Sequence, residues 1–475
     1  MLNKPIIYFR VDGNSEIGLG HVIRCTALCA MLNEDFDCRF IVKNPIPKLK
    51  DQILEVADRL ISIGEHNSRD DEARMLLDKY FTNSPIVVLD GYGFTSEYQL
   101  KLKTQGCTIV CIDDIHDTHF YADVIINHSP NAVESDYCAE VYTQFCLGLK
   151  YALLREPFLK YSKLRTIKEN GSTNCLLICL GGADPHNDTL NVMKSLQGSV
   201  FDQYYVVIGV GYKYEDELKL FIESSSLEVI LLRNLTDKKM VAIMDLCSVA
   251  ITTPSTVSIE YLSIGGNLYL LKIADNQDDL FNYLVENGIA KQFVLGQEIE
   301  PAMETYAPVY IDGLQGKRLL RIFVALSLEV IEAKEEHANL YFDWVNDTDV
   351  RTQSFHQSEI EWKDHIKWFL NQVESSLTKL YIILKSGIPI GQVRFEIDGQ
   401  IAILSYSVDK SFRGKGLSEP LLRKGLAYFR SEVVDCKDIY AHVKKDNIPS
   451  VLTFRSLGGL ESESQIRPRT YKYKL

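Results

Sequence analysis

A histidine reached through glycines at the start of an amphipathic segment is the first place where this chain could do chemistry. The segment Arg10-Val-Asp-Gly-Asn-Ser-Glu-Ile-Gly-Leu-Gly-His21-Val-Ile-Arg24 follows an apolar run and opens a helix-like one. Gly18 and Gly20 let backbone approach a ligand closely, and a helix N-terminus offers N–H donors without intrahelical partners. His21 stands at that mouth, where the helix dipole disfavours imidazolium and favours the ring form that accepts a proton. On chemistry alone, a structural and a catalytic His21 weigh the same. A second place is Arg413-Gly-Lys-Gly-Leu-Ser418, between a strand-like and a helix-like segment. Successive N–H groups at such a junction can cradle a pyrophosphate. Alone, each pattern is weakly specific.

Other candidates lie between them. Gly181 and Gly182 follow an apolar run and permit close contact with a phosphate. Ser255 and Thr256 open a helix-like segment, as phosphate ligands or as a plain N-cap. Glu260 has the chemistry to accept two ribose hydroxyls. His116, His119 and His186 lie in polar stretches, the first two beside Asp113, Asp114 and Asp117. Spacing within one loop is not a ligand geometry, so no metal is expected there. The 11 cysteines include no CxxC pair and read as buried thiols of a reducing compartment.

The elements that must hold these residues come in three series. Strand-like runs at 5–11, 38–42, 86–90, 108–112 and 124–127 alternate with helical segments such as 21–32 and 69–80. After a polar stretch at 160–173, strands are expected at 174–180, 204–208, 227–231, 249–252 and 268–271. Helices are expected between them at 188–196, 215–223 and 237–246, and after them at 277–286. Such alternation predicts parallel sheets covered by helices, with ligands beyond the strands' carboxyl ends. From about residue 327 the rhythm changes to an α+β pattern. Helices at 335–344 and 361–372 precede strands at 381–385, 390–396 and 401–408. A helix at 416–429, a strand at 438–443 and a helix at 447–457 follow. The expected domains are 1–158, 159–325 and 326–475.

Composition bounds the function. The 475 residues are 46% hydrophobic and 24% charged, as in a soluble globular protein. No run approaches the roughly 18 apolar residues of a membrane span, and the start has no signal-peptide pattern. A cytoplasmic protein without membrane contact is therefore expected. The formal net charge of -13 argues against a nucleic-acid partner.

The first segment, taken with Leu89-Asp-Gly-Tyr92, Ile112-Asp-Asp114, Asn127, Leu147-Gly-Leu-Lys-Tyr-Ala-Leu-Leu-Arg155 and Leu180-Gly-Gly-Ala-Asp184, resembles the nucleotide-sugar hydrolases of pseudaminic-acid synthesis. Ser255-Thr-Val-Ser-Ile-Glu260 and Ala274-Asp-Asn276-Gln277 continue the likeness, which covers about residues 1–320. The resemblance implies two Rossmann-like domains in a GT-B arrangement and removal of UDP from a diacetamido-trideoxy-altropyranose. By that likeness His21 is the general base that activates water, and Tyr92 and Asn276 orient sugar or water. Asp12 steadies the sugar or His21, with turn capping as the alternative. Gly20, Gly181, Gly182, Ser255, Thr256 and Glu260 belong to the substrate site. Gln277 does too, or caps the last helix. No metal is implied.

The loop at Arg413, Gly414, Lys415, Gly416, Leu417 and Ser418, followed by Asn447-Ile-Pro-Ser450 and by Phe454 and Gly458, resembles the GNAT acetyltransferases over about residues 327–475. Acetyl-CoA is the implied co-substrate, held by that loop, Asn447 and Phe454. The preceding stretch, with Trp344, Asn346, Asp347, Arg351, Ser354, His365 and Trp368, is similar to the acetyltransferase of UDP-4-amino sugars in the same pathway. Asn346, Arg351 and His365 would then line the sugar-nucleotide pocket. Trp344 and Trp368 would stack on uracil or serve as core. Two departures stand out. Ser418 replaces the usual small apolar residue. Phe454 stands where many of these enzymes have a tyrosine acid, so the proton for the thiolate must come from water or from a residue such as Tyr406 or Tyr440. The sequence thus predicts a bifunctional enzyme acting on UDP-sugars. Its rivals are a GT-B glycosyltransferase, a hydrolase with a non-catalytic acyl-CoA-binding module, and a GNAT enzyme acting on protein or RNA.

Overall fold

The structure, a computed structural model, describes residues 4–13, 20–164, 174–182, 184–196, 201–274, 277–299 and 311–475. These form two compact units, 4–319 and 320–475.

The larger unit holds two parallel sheets. The first contains β1 (Ile6–Val11), β2 (Asp37–Lys43), β3 (Arg59–Ile63), β4 (Ile86–Asp90), β5 (Thr108–Ile112), β7 (Val124–Asn127) and β9 (Gln144–Leu147), in the order β3-β2-β1-β4-β5-β7-β9. Between them run α1 (Gly20–Leu32), α2 (Pro47–Leu54), α3 (Arg69–Lys79) and α4 (Ser96–Thr104). Short strands β6 (His119–Phe120) and β8 (Cys138–Ala139) pair separately. All residues of β4 and β7 are buried, as a parallel sheet covered on both faces requires. β3 and β9 were not expected from the sequence. β3 alternates exposed and buried residues at the sheet edge and starts on Arg59, so it lacks the continuous apolar run of its neighbours.

After α5 (Glu156–Leu164) the second sheet contains β10 (Cys175–Cys179), β11 (Gln203–Ile208), β12 (Val229–Arg233), β13 (Val249–Thr252), β14 (Asn267–Leu270) and β15 (Lys291–Gln292), in the order β12-β11-β10-β13-β14-β15. Its helices are α6 (Asp188–Ser195), α7 (Glu215–Ser224), α8 (Asp237–Leu246), α9 (Thr256–Ile264) and α10 (Asp278–Glu286). Each sheet has a point where strand order reverses, between β1 and β4 and between β10 and β13. Loops leaving the two strands there diverge to opposite faces and leave a crevice.

Helix α11 (Gln315–Leu326) runs into the smaller unit, whose sheet has the order β16-β17-β18-β19-β20-β22-β21. Its strands are β16 (Glu329–Glu332), β17 (Thr378–Lys385), β18 (Ile388–Asp398), β19 (Ile401–Val408), β20 (Asp438–Lys444), β21 (Leu460–Glu463) and β22 (Thr470–Lys474). Only β19 and β20 pair in parallel, and their register ends at Leu404↔Ala441 although both strands continue. The two strands part beyond that point. Helices α12 (Ala338–Asn346), α13 (Thr348–Gln353) and α14 (Trp362–Glu374) precede β17. Helix α15 (Ser418–Glu432) crosses from β19 to β20, and α16 (Ile448–Ser456) follows β20. α15 lies close on β18 because Gly425 has no side chain: a Cβ there would stand 2.8 Å from Val393. No helix of the described residues is long and apolar enough to cross a membrane.

Candidate active sites

The crevice between β1 and β4 gathers buried charge around His21. The chain leaving β1 returns at α1, which begins with Gly20 and His21, while β4 ends on Asp90 and turns through Gly91 to Tyr92. His21 Nδ1 lies 2.7 Å from Asp90 Oδ1. Arg24, one turn along α1, donates Nε to Asp90 Oδ2 at 2.8 Å and Nη2 to Asp90 Oδ1 at 2.6 Å. Its third nitrogen, Nη1, reaches Asp114 Oδ2 at 2.9 Å. Burial pushes the Asp90 carboxyl up, but the Arg24 guanidinium and the His21 hydrogen bond outweigh it and hold Asp90 at about 2. Asp90 is therefore an ionised acceptor. That assigns the imidazole proton to Nδ1 and leaves the Nε2 lone pair available. Arg24 Nη2 also lies 3.0 Å from His21 Nδ1.

Tyr92, 51% exposed, meets the His21 ring edge-on at 5.1 Å. Asn276, the third residue expected here, lies outside the described residues. Burial, aided by Arg24, pushes the nearby His128 down to about 4, so its ring is neutral at physiological pH. Beyond β5 and β7 a polar cavity of about 310 Å³ is lined by His116, Asn127, Ser129 and Asp279, among others. Two buried atoms in this region, Asp114 Oδ1 and His116 Nδ1, have no hydrogen-bond partner among the described residues.

Asp12 is held by partners other than His21. Its carboxylate accepts from Arg10 at 2.6 and 2.9 Å and from the Lys43 backbone N–H at 3.0 Å. Arg10 is fully buried and also holds Glu72. Asp12 thus ties the ends of β1 and β2 together, and none of these bonds reaches His21. Sequence reasoning quoted Arg24, Asp90 and Asp114 within the motifs of the resemblance but gave none of them a role at His21. A further signal was a carboxylate ending the otherwise apolar Ile-Val-Val-Leu-Asp90 run, since burying a charge demands a partner.

At the second switch point, β10 leads to Gly181 (φ +93°) and Gly182, and β13 leads to Ser255 and Thr256. A Cβ on Gly209 would fall 2.4 Å from Gly182 Cα, so the loops after β10 and β11 touch through their glycines. Ser255 is the N-cap of α9, and its N–H donates to Ser258 Oγ at 3.3 Å. Ser255 Oγ also lies 3.0 Å from Thr253 Oγ1. Glu260 is buried, and Arg155 donates Nε and Nη2 to its two oxygens at 2.7 and 2.8 Å. This fork holds the carboxylate in place and uses one lone pair on each of its oxygens. Gln277 precedes α10 and accepts from the Ile273 N–H at 3.0 Å.

In the smaller unit, the loop from Arg413 to Leu417 opens α15. Gly414 and Gly416 have φ of +73° and +72°, and a Cβ on either would meet only open space. Their left-handed backbone, rather than crowding, is what requires glycine. Arg413 anchors the loop: its Nε donates to the Val408 carbonyl at 3.0 Å, and its Nη atoms pair with Asp347 and Asp349 at 2.7 and 2.8 Å. Lys415 lies over the Phe412 ring, and Ser418 begins α15. Asn447 caps α16 by accepting from the Ser450 N–H. Phe454 is 2% exposed and stacks on Tyr473.

The three residues expected to line a sugar-nucleotide pocket are held by their own segment. Asn346 exchanges two hydrogen bonds with the Ile360 backbone at 2.8 and 2.9 Å. Arg351 donates to the carbonyl of His356 and to Ser354 Oγ. His365 is 1% exposed and donates Nε2–H to the Ala338 carbonyl at 2.9 Å. His365 therefore fastens α14 to α12. Trp344 is core, its indole N–H on Asp409 at 2.9 Å. Trp368 carries the Arg394 guanidinium over its ring.

Residues 340–458 match the acetyltransferase (GNAT) family. The chain is 22% identical over 487 residues to an uncharacterized protein of Methanocaldococcus jannaschii, covering 94% of this chain and 95% of that one. Its N-terminal part is 27% identical over 195 residues to the UDP-2,4-diacetamido-2,4,6-trideoxy-beta-L-altropyranose hydrolase of Campylobacter jejuni. That match takes in 40% of this chain and 65% of the hydrolase. Among solved structures, the spermidine N-acetyltransferase of Vibrio cholerae in complex with CoA and spermine aligns with 32% of this chain and 95% of its own, at 15% identity and a TM-score of 0.29. The fold is mixed α/β, with parallel Rossmann-like sheets and a GNAT domain.

Proposed function

We propose that this chain is a bifunctional sugar-modifying enzyme whose larger unit hydrolyses a UDP-sugar and whose smaller unit N-acetylates one with acetyl-CoA. The observation that carries the first activity is the His21–Asp90–Arg24 cluster at the switch point of β1 and β4, in a segment similar to a UDP-sugar hydrolase. Asp90 fixes the Nδ1 proton, so His21 Nε2 takes a proton from water as it attacks the anomeric carbon. UDP is a good leaving group, and attack opposite to it inverts that centre. Tyr92 and Asn276 orient the sugar or the water. The N–H groups at the start of α9, with Gly181 and Gly182, receive the pyrophosphate in a GT-B-like cleft. Asp114 Oδ1, an acceptor, and His116 Nδ1, a donor or an acceptor according to its tautomer, are suited to the sugar's N–H and O–H groups.

The family match at 340–458 and the open loop at Gly414 and Gly416 support acetyl-CoA binding and acetyl transfer. The paired activities fit UDP-4-amino-4,6-dideoxy-N-acetyl-β-L-altrosamine as acetyl acceptor and its diacetamido product as the hydrolase substrate. Both would work in the cytoplasm, where acetyl-CoA and UDP-sugars are made. Mass spectrometry of that amino sugar with the purified chain, with and without acetyl-CoA, tests the reading. Free diacetamido sugar and UDP appearing only with acetyl-CoA is the expected result. UDP release that needs an added sugar acceptor would make the larger unit a glycosyltransferase, and CoA binding without acetyl transfer would make the smaller one a binding module.

A further inference from the structure

Acetyl transfer from a thioester to an amine forms a C–N bond and breaks a C–S bond. The departing thiolate, of pKa about 8.5 for an ordinary thiol, leaves more readily when a proton meets it. Phe454 has none to give and is enclosed against Tyr473. Four other groups of the smaller unit lie near the parting of β19 and β20 or carry an exchangeable proton close to it. Tyr440 sits in the paired part of β20, opposite Ile403, with its hydroxyl toward Asp438 and the Lys472 ammonium over its ring. Cys436 lies before that strand, its thiol toward the Asp438 carbonyl. His442, one residue past the last pair on β20, is turned to Ser464. Tyr406 differs in its partners. It lies on β19 two residues past Leu404, the last one paired with β20, and so in the part of the strand that has separated.

The surroundings of Tyr406 are made of hydroxyls. Its Oη is 3.0 Å from Ser450 Oγ in the first turn of α16. The hydroxyls of Ser418, which opens α15, and of Thr453 also lie close enough to act on its phenol. The Tyr406 ring meets Phe454 edge-on at 5.9 Å, so Phe454 braces it from the apolar side. Burial pushes the phenol up, and the three hydroxyls only partly offset this, so it keeps its proton at neutral pH.

We infer that Tyr406 is the general acid of the acetyl transfer, giving its phenolic proton to the coenzyme A sulfur as the C–S bond breaks. The tyrosinate recovers a proton from the attacking amine nitrogen through the Ser450 hydroxyl. The net movement is one proton from nitrogen to sulfur, with no other reactant. This rests on the acetyltransferase reading of the same unit.

The test is steady-state acetylation of the UDP-4-amino sugar by the full chain. Tyr406→Phe should lower kcat by roughly 100-fold or more while KM for acetyl-CoA stays within about twofold. Phe454→Tyr placed in the Tyr406→Phe background should return part of the rate, because it brings a phenol to the neighbouring position. An unchanged kcat in Tyr406→Phe overturns the inference. So does a loss matched by an equal rise in KM for acetyl-CoA and not relieved by Phe454→Tyr, which marks a structural role. A wild-type chain that transfers no acetyl group defeats the acetyltransferase reading and this inference with it. An active wild type beside an equally active Tyr406→Phe defeats the tyrosine alone.

Discussion

The crevice between β1 and β4 and the loop before α15 both lie at the carboxyl end of a strand feeding a helix, yet they are built from different material. The first is made of side-chain charge, the buried Asp90 and Arg24 with the half-buried Asp114, gathered around one imidazole. The second is made of backbone, two glycines with positive φ and one arginine held by neighbouring carboxylates. The difference teaches what each site must fix in advance. A water-activating histidine needs one tautomer, and a buried carboxylate supplies it. A pyrophosphate cradle needs a row of N–H groups, and side chains would obstruct it.

The comparison is broken most sharply by removing the acceptor. His21→Asn should lower UDP release by roughly 100- to 10,000-fold and leave acetylation of the amino sugar unchanged, so that acetylated UDP-sugar accumulates in the mass-spectrometric assay. Equal loss of both activities would mean that the two sites are not independent. Asp90→Asn should lower hydrolysis by a similar factor, and it should also destabilise the larger unit. It leaves Arg24 buried without its main partner, a cost of roughly 3–5 kcal/mol measurable by denaturant unfolding.

Acid should find the buried-charge site first. The unfolded chain protonates His128 from about pH 6.5, whereas the folded ring waits until about 4. Its contribution is complete above pH 6.5 and is lost as pH falls to 4. Asp90, at about 2 in the fold and about 3.9 unfolded, continues the loss below pH 4. Asp113 opposes His128 over nearly the same range, because burial pushes it up to about 6 and its cost fades as pH falls from there towards about 3.9. His128→Gln should therefore flatten the fall in melting temperature between pH 6.5 and 4. An unaltered slope would remove His128 from the explanation.

Two smaller tests probe packing and capping. Gly425→Ala puts a Cβ 2.8 Å from Val393, and overpacking of this kind costs about 1–3 kcal/mol. It should lower the melting temperature of the smaller unit. Ser255→Ala removes the N-cap of α9 and should cost about 1 kcal/mol, with a larger effect on UDP affinity if pyrophosphate is held there.

Much of this organisation was legible in the chain. The apolar runs of β1, β4, β5 and β7, and of β10, β11 and β13, gave their strands, because strands buried on both faces carry uninterrupted apolar residues. β3 and β15 escaped notice, being short edge strands that bury little. His21, Tyr92 and the 413–418 loop could be marked because glycines and a strand-to-helix junction are local signals.

What the amino-acid order determined by itself was the alternation of elements, the change of rhythm near residue 327, and the junctions where backbone donors gather. These depend on neighbours within a few residues, and period and turn chemistry encode them. Which charges meet was decided only by the tertiary structure. Asp90 is 66 residues from Arg24, Glu260 is 105 from Arg155, and Tyr406 is 44 from Ser450. Partners so far apart are chosen by strand order and by the demand that a buried charge or hydroxyl find its complement; the local sequence can mark a charge that needs a partner, as Asp90 does at the end of its apolar run, but not which residue meets it.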